Sequence, residues 1–112
     1  MKIAVPLAEG ILSAHFGHCT QVAVFDADSE TRTVRGRQDV PAPVHEPGVF
    51  PVWLAGLGVD VILAGGMGSR ARDLFAEHGV GVVTGVTGEH PCDLVAAFLA
   101  DELVSRPHFC EK

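Results

Sequence analysis

The chain has 112 residues, 47% hydrophobic and 20% charged, with a formal net charge of −6, the make-up of a soluble globular chain whose residues 1–112 are read as one domain. The negative balance and the scattered arginines (Arg32, Arg35 and Arg37, then Arg70 and Arg72) exclude a large nucleic-acid footprint, and no apolar run reaches the ~18–20 residues of a membrane span. Three cysteines, an odd number, behind a lead-in too short for a signal peptide argue against a disulfide framework and for a reducing cytoplasm.

Ile3-Ala4-Val5 reads as a short buried strand closed by Pro6, and Leu7 to His18, with two glycines and no sustained period, as a long loop. Gln21 to Asp26 is a second strand. Asp28-Ser29-Glu30-Thr31 supplies a turn, and Thr33 to Val40 returns as a third strand, polar on one face as an edge strand should be. Prolines at 41, 43, 47 and 51 stiffen the next connection, which carries His45. Phe50, Trp53, Leu54 and Leu57 then fall at i, i+3, i+4 and i+7, a helical spacing stopped by Gly56 and Gly58.

The nearly continuous apolar run Val59 to Ala64 predicts a central strand covered on both faces. Gly65-Gly66-Met67-Gly68-Ser69 follows, then a helix from about Arg70 to His78 capped by Gly79. Val80 to Val83 is a fifth strand. Thr84 to His90 is loop, Pro91 opens the last helix, and Leu94, Val95, Phe98, Leu99 and Leu103 line it. The order is an antiparallel hairpin feeding two right-handed βα units.

Strand direction then decides which loops meet. With the first strand running up, the connections Leu7–Thr20, Pro41–Gly48, Gly65–Ser69 and Thr84–Pro91 all lie at the top, with His15, His18, Cys19, His45 and His90. Open α/β sheets bind ligands outside the carboxyl ends of their parallel strands, where strand order reverses. With the first and fourth strands as neighbours, that point lies between the His15–Cys19 loop and the Gly65–Ser69 loop.

Two imidazoles and a thiol within five residues, Ser13-Ala14-His15-Phe16-Gly17-His18-Cys19, make this segment the richest in donors for soft metals and iron–sulfur clusters. His15 and His18 can share one ion if the loop turns; Cys19, beside His18, needs a bend to join them. His45 is a candidate third ligand. The structural alternative is that Phe16 plugs the core and Gly17 makes a turn. Gly65, Gly66, Met67, Gly68 and Ser69 precede a helix and offer backbone N–H groups to an anion, although they lack the lysine of a P-loop; a tight turn is the plainer role. Met67 is either a soft contact or core. Cys92 stands in the first turn of the last helix, and Cys110 lies in an aperiodic tail that reaches the top only by doubling back. Asp26, Asp28, Asp60 and Asp101 do not converge as a nuclease needs, and there is no GxSxG nucleophile, so catalysis is not expected.

With these residues in place, the chain resembles the dinitrogenase iron–molybdenum cofactor biosynthesis family, the small NifX/NafY-type domain. The likeness rests on Ile3-Ala4-Val5-Pro6, on His15-Phe16-Gly17-His18, on Gly58 to Gly68 with Arg70-Ala71, on Gly79-Val80-Gly81-Val82, and on a cysteine near the end. The resemblance implies a ribonuclease-H-like three-layer α/β fold, with a five-stranded mixed sheet in the order 3-2-1-4-5, strand 2 antiparallel, and three helices. It implies non-catalytic binding or carriage of an iron–sulfur or molybdenum-containing cluster, or a transition-metal ion, in cofactor assembly. A regulatory role toward a ParA/Mrp-type ATPase partner, with no metal of its own, is the alternative. Many members close with a cysteine, an acidic residue and a histidine; this chain closes Cys110-Glu111-Lys112, with lysine where that last ligand stands.

Overall fold

The alternation of apolar side chains along the strands decides the architecture. In a computed structural model, which describes residues 1–43 and 48–103, Ile3, Val5 and Leu7 of the first strand join Ala23, Phe25 and Ala27 of the next on one side of the sheet. Ala4 and Val22 belong to the other side. Strand β1 spans Lys2–Ala8, β2 Ile11–Leu12, β3 Gln21–Asp28 and β4 Thr33–Pro41. Helix α1 (Val49–Gly56), β5 (Val61–Leu63), α2 (Ser69–Glu77), β6 (Gly81–Val83) and α3 (Pro91–Leu99) complete the chain order.

The sheet order is β4-β3-β1-β5-β6, with β2 paired to β1 off that path. β1 runs parallel to β5 and β5 to β6, while β3 is antiparallel to both β1 and β4. This is the expected mixed order, with one short strand added. On one face of the sheet α3 buries Leu94, Val95 and Leu99 against Ile3, Val5, Phe25 and Leu63. On the other, α1 and α2 bury Phe50, Leu54 and Phe75 against Ala4, Val22 and Ile62. Three layers result, each helix covering sheet that would otherwise expose an apolar face.

β5 reads as expected, buried throughout and flanked by strands on both sides. The β3–β4 turn is built by Asp28, whose carboxylate accepts from the backbone N–H groups of Glu30 and Thr31 and pairs with Arg35. Those N–H groups, with the Arg35 guanidinium after them, hold the Asp28 carboxyl below its ordinary range. β4 keeps its polar edge, where Arg37 and Asp39 pair at 2.8 Å.

Two sequence expectations need correction. β1 does not end at Pro6 but runs to Ala8, because Pro6 falls where no donor is required. The pairing with β5 involves Ile3 and Ala4, and that with β2 begins at Leu7. Nor is Leu7 to His18 all loop. Glu9 and Gly10 both take positive φ, 55° and 82°, and turn the chain so that Ile11 and Leu12 pair back on Ala8 and Leu7. A two-residue hairpin of this hand needs positive φ at both central positions.

Candidate functional site

The segment after β2 is held down almost wholly by backbone. The Ser13 N–H donates to the Pro6 carbonyl at 2.9 Å and the Thr20 N–H to the Leu7 carbonyl at 2.8 Å, so both ends of the loop are fixed to β1. Between them, the Gly66 N–H donates to the Ala14 carbonyl at 2.7 Å and the Phe16 N–H to the Gly66 carbonyl at 2.8 Å. His15 and Gly66 thus pair in parallel at a single point, a stitch that extends the β1–β5 neighbourhood into the loops. Gly65 in turn accepts from the Gly85 N–H at 2.7 Å, and the Leu12 N–H donates to Glu89 at 2.9 Å. Three of the four top loops are therefore laced together at the switch point of the sheet, and the fourth is tied to them where the Ala42 N–H donates to the Thr20 carbonyl at 3.0 Å.

This seam positions the histidines. Phe16–His18 form one turn of 3-10 helix, in which the His18 N–H donates to the His15 carbonyl at 3.0 Å. Phe16 points inward, its ring edge-on to Phe50 of α1 at 5.0 Å and to Phe75 of α2 at 5.6 Å. With that ring anchored, His15 and His18 stand outside, both exposed, with ring centroids 5.6 Å apart and planes at 68°. Two imidazoles so placed offer nitrogen donors to one ion or to one face of a cluster.

Cys19 stands elsewhere. It is 4% exposed and packed into the apolar layer beneath α1 and α2. Burial pushes its thiol up to about 11, so the thiolate that ligates metal is disfavoured there. Met67, 2% exposed, belongs to the same layer. Of the glycine run, Gly66 spends both its N–H and its carbonyl on the seam, Gly65 lies against the backbone of Ala14, and Gly68 caps α2, whose first residue is Ser69. Among the described residues no side chain caps α2, and the positive end of its dipole lies three residues beyond Gly66. His45 and Cys110 fall outside the described residues. His90 is exposed at the start of α3, and the Cys92 thiol, also exposed, accepts from Arg37 at 3.2 Å. Among the described residues, no group of three or more His, Cys, Asp or Glu side chains is placed to hold a metal ion together.

Sequence reasoning missed Ser13. It is the one buried polar side chain among the described residues, and its hydroxyl donates to the His15 carbonyl at 2.7 Å. A serine in a loop gives no signal of burial; only the hairpin at Glu9-Gly10 puts it inside. Among the described residues no helix is long and apolar enough to cross a membrane.

A three-layer α/β chain that presents two imidazoles from a backbone-locked turn at the switch point of its sheet is the class of molecule this geometry defines. The chain belongs to the dinitrogenase iron–molybdenum cofactor family, whose model matches residues 1–101. Among solved structures it is similar to PH0822, at 30% identity over 94% of each chain and a TM-score of 0.85. It is also similar in fold to MJ0327 of Methanocaldococcus jannaschii, at 14% identity over 97% of each chain and a TM-score of 0.76. The apo form of the orange protein from Desulfovibrio gigas aligns at 23% identity over 96% of this chain and 93% of that one, with a TM-score of 0.69. No curated protein matches the chain.

Proposed function

We propose that this protein binds and carries a metal–sulfur cluster, iron–sulfur or molybdenum-containing, or a transition-metal ion, as cargo in cofactor assembly, and that it performs no reaction of its own on that cargo. The observation that carries this reading is the His15–His18 pair: exposed, 5.6 Å apart, and set by a turn whose backbone is tied to the Gly66 loop. Family membership supports it by naming the class of cofactor.

The donor set suits cargo better than a permanent metal. A structural site encloses its ion with four protein ligands, whereas an ion held by two exposed imidazoles keeps its other positions for its own sulfides, for water or for the next protein. The start of α2 places partial positive charge near the seam, which favours an anionic cluster on a chain whose own net charge is −6. Cys19 has no part in this: it serves the core, and bringing its sulfur out would cost its burial.

Anaerobic reconstitution with iron and sulfide, or separately with molybdate and sulfide, followed by metal analysis and visible absorption, tests the reading. Wild type should retain metal after desalting, and a His15→Ala/His18→Ala variant should not. Equal, near-zero metal in both would end the proposal.

A further inference from the structure

Resting on that reading, the structure assigns Ser13 and Gly65 as positioning residues for the histidine pair, although neither can touch the cargo. Each acts on the backbone of residues 13–15, and they act from opposite sides.

Ser13 works from within the loop. The His15 carbonyl opens the 3-10 turn by accepting the His18 N–H at 3.0 Å, and the same oxygen accepts the Ser13 hydroxyl at 2.7 Å. A carbonyl oxygen has two lone pairs, and here both are used. The peptide plane between His15 and Phe16 is thereby fixed, and with it the relative direction of the two residues that carry the imidazoles. Because Ser13 is 3% exposed, water cannot readily replace its hydroxyl.

Gly65 works from across the seam. Its backbone does not have a positive φ, so conformational freedom is not why glycine stands there. The reason is approach: a Cβ would lie 2.9 Å from the Ala14 carbonyl oxygen and 3.3 Å from that of Ser13. Both atoms are backbone and cannot swing aside. An added methyl must push residues 13–14 away from Gly65 and Gly66, against the two hydrogen bonds that join Gly66 to Ala14 and Phe16 on either side of His15.

The two substitutions therefore disturb one geometry by different routes. Ser13→Ala releases the carbonyl that starts the turn; Gly65→Ala displaces the chain that leads into it. Neither removes an imidazole nitrogen, so both should convert two-imidazole binding into one-imidazole binding rather than abolish it.

The probe is Cu2+ alone, added to the full chain at one equivalent, with electron paramagnetic resonance counting the coordinated nitrogens. Nuclear Overhauser contacts between the His15 and His18 rings in the metal-free protein supply a readout independent of metal. Wild type should show two imidazole nitrogens and a ring-to-ring contact. Ser13→Ala should lose the contact, show one imidazole nitrogen, and bind Cu2+ about five- to tenfold more weakly, the scale of one hydrogen bond. Gly65→Ala should do the same if it folds, which far-UV circular dichroism establishes; if it does not fold, Ser13→Ala decides alone. Gly36→Ala, whose Cβ on β4 meets nothing within 4 Å among the described residues, should match wild type. Two nitrogens and an intact ring contact in Ser13→Ala overturn the assignment while leaving the site reading untouched. A wild type that shows no imidazole coordination overturns the site reading and this assignment with it.

Discussion

His18 and Cys19 are neighbours in the chain and opposites in the fold. His18 ends a 3-10 turn in solvent, whereas Cys19, one residue on, is sealed beneath α1 and α2 with Phe50 and Met67. The difference comes from the start of β3. Thr20 is pinned to Leu7 of β1, so the chain must already be entering the sheet at Cys19, and the side chain there points into a layer that needs filling. Three soft donors in five residues thus become a pair of exposed imidazoles and a piece of core. Proximity in sequence supplied the candidates; the direction of each Cα–Cβ bond sorted them.

The largest effect expected on this contrast is loss of the pair. His15→Ala/His18→Ala should weaken binding of the reconstituted cargo at least about 100-fold, equivalent to about 2.7 kcal/mol, with thermal stability unchanged. Phe16 is what forces the histidines outward, so Phe16→Ala should destabilise the fold by about 2–3 kcal/mol, read by urea unfolding, and should loosen binding as well. Its ring bridges α1 and α2 through Phe50 and Phe75.

Smaller effects should mark Cys19. Cys19→Ala should cost about 1 kcal/mol of stability and leave metal content at the wild-type level. An alkylating reagent near neutral pH should modify exposed Cys92 well before Cys19. The pH dependence of the buried thiol has a definite sign. The folded thiol titrates near 11 against an ordinary value of 9.0, so the folded state holds the proton more tightly. The stability this lends is complete below pH 9 and is lost as pH rises toward about 11, and Cys19→Ala should flatten that fall in urea melts.

Much of the fold could be read from the sequence because the signals were redundant. The apolar run Val59–Ala64 fixed a buried central strand, the polar Thr33–Val40 an edge, and the Phe50-Trp53-Leu54-Leu57 spacing a helix; right-handed crossovers then left few ways to order them. The β2 hairpin escaped because Glu9-Gly10 is a weak turn signal beside Asn-Gly, and Glu9 takes positive φ under tertiary constraint. The meeting of the His15 loop with Gly66 could be inferred from strand direction. The burial of Cys19, Met67 and Ser13 could not, since loop residues have no period to reveal which way they face. The glycine run shows the same limit. Its composition left an anion cradle and a tight turn both open, and Gly66 spends its N–H and its carbonyl on a backbone stitch.

Cargo that meets the chain at all should meet it at His15 and His18. Nitrogen-15 spectra of the histidine rings, recorded as the protein takes up iron and sulfide or molybdate and sulfide, test this most directly. The His15 and His18 ring signals should shift or broaden together while those of His78 and His90 stay in place. Cargo uptake with both His15 and His18 unmoved would contradict it.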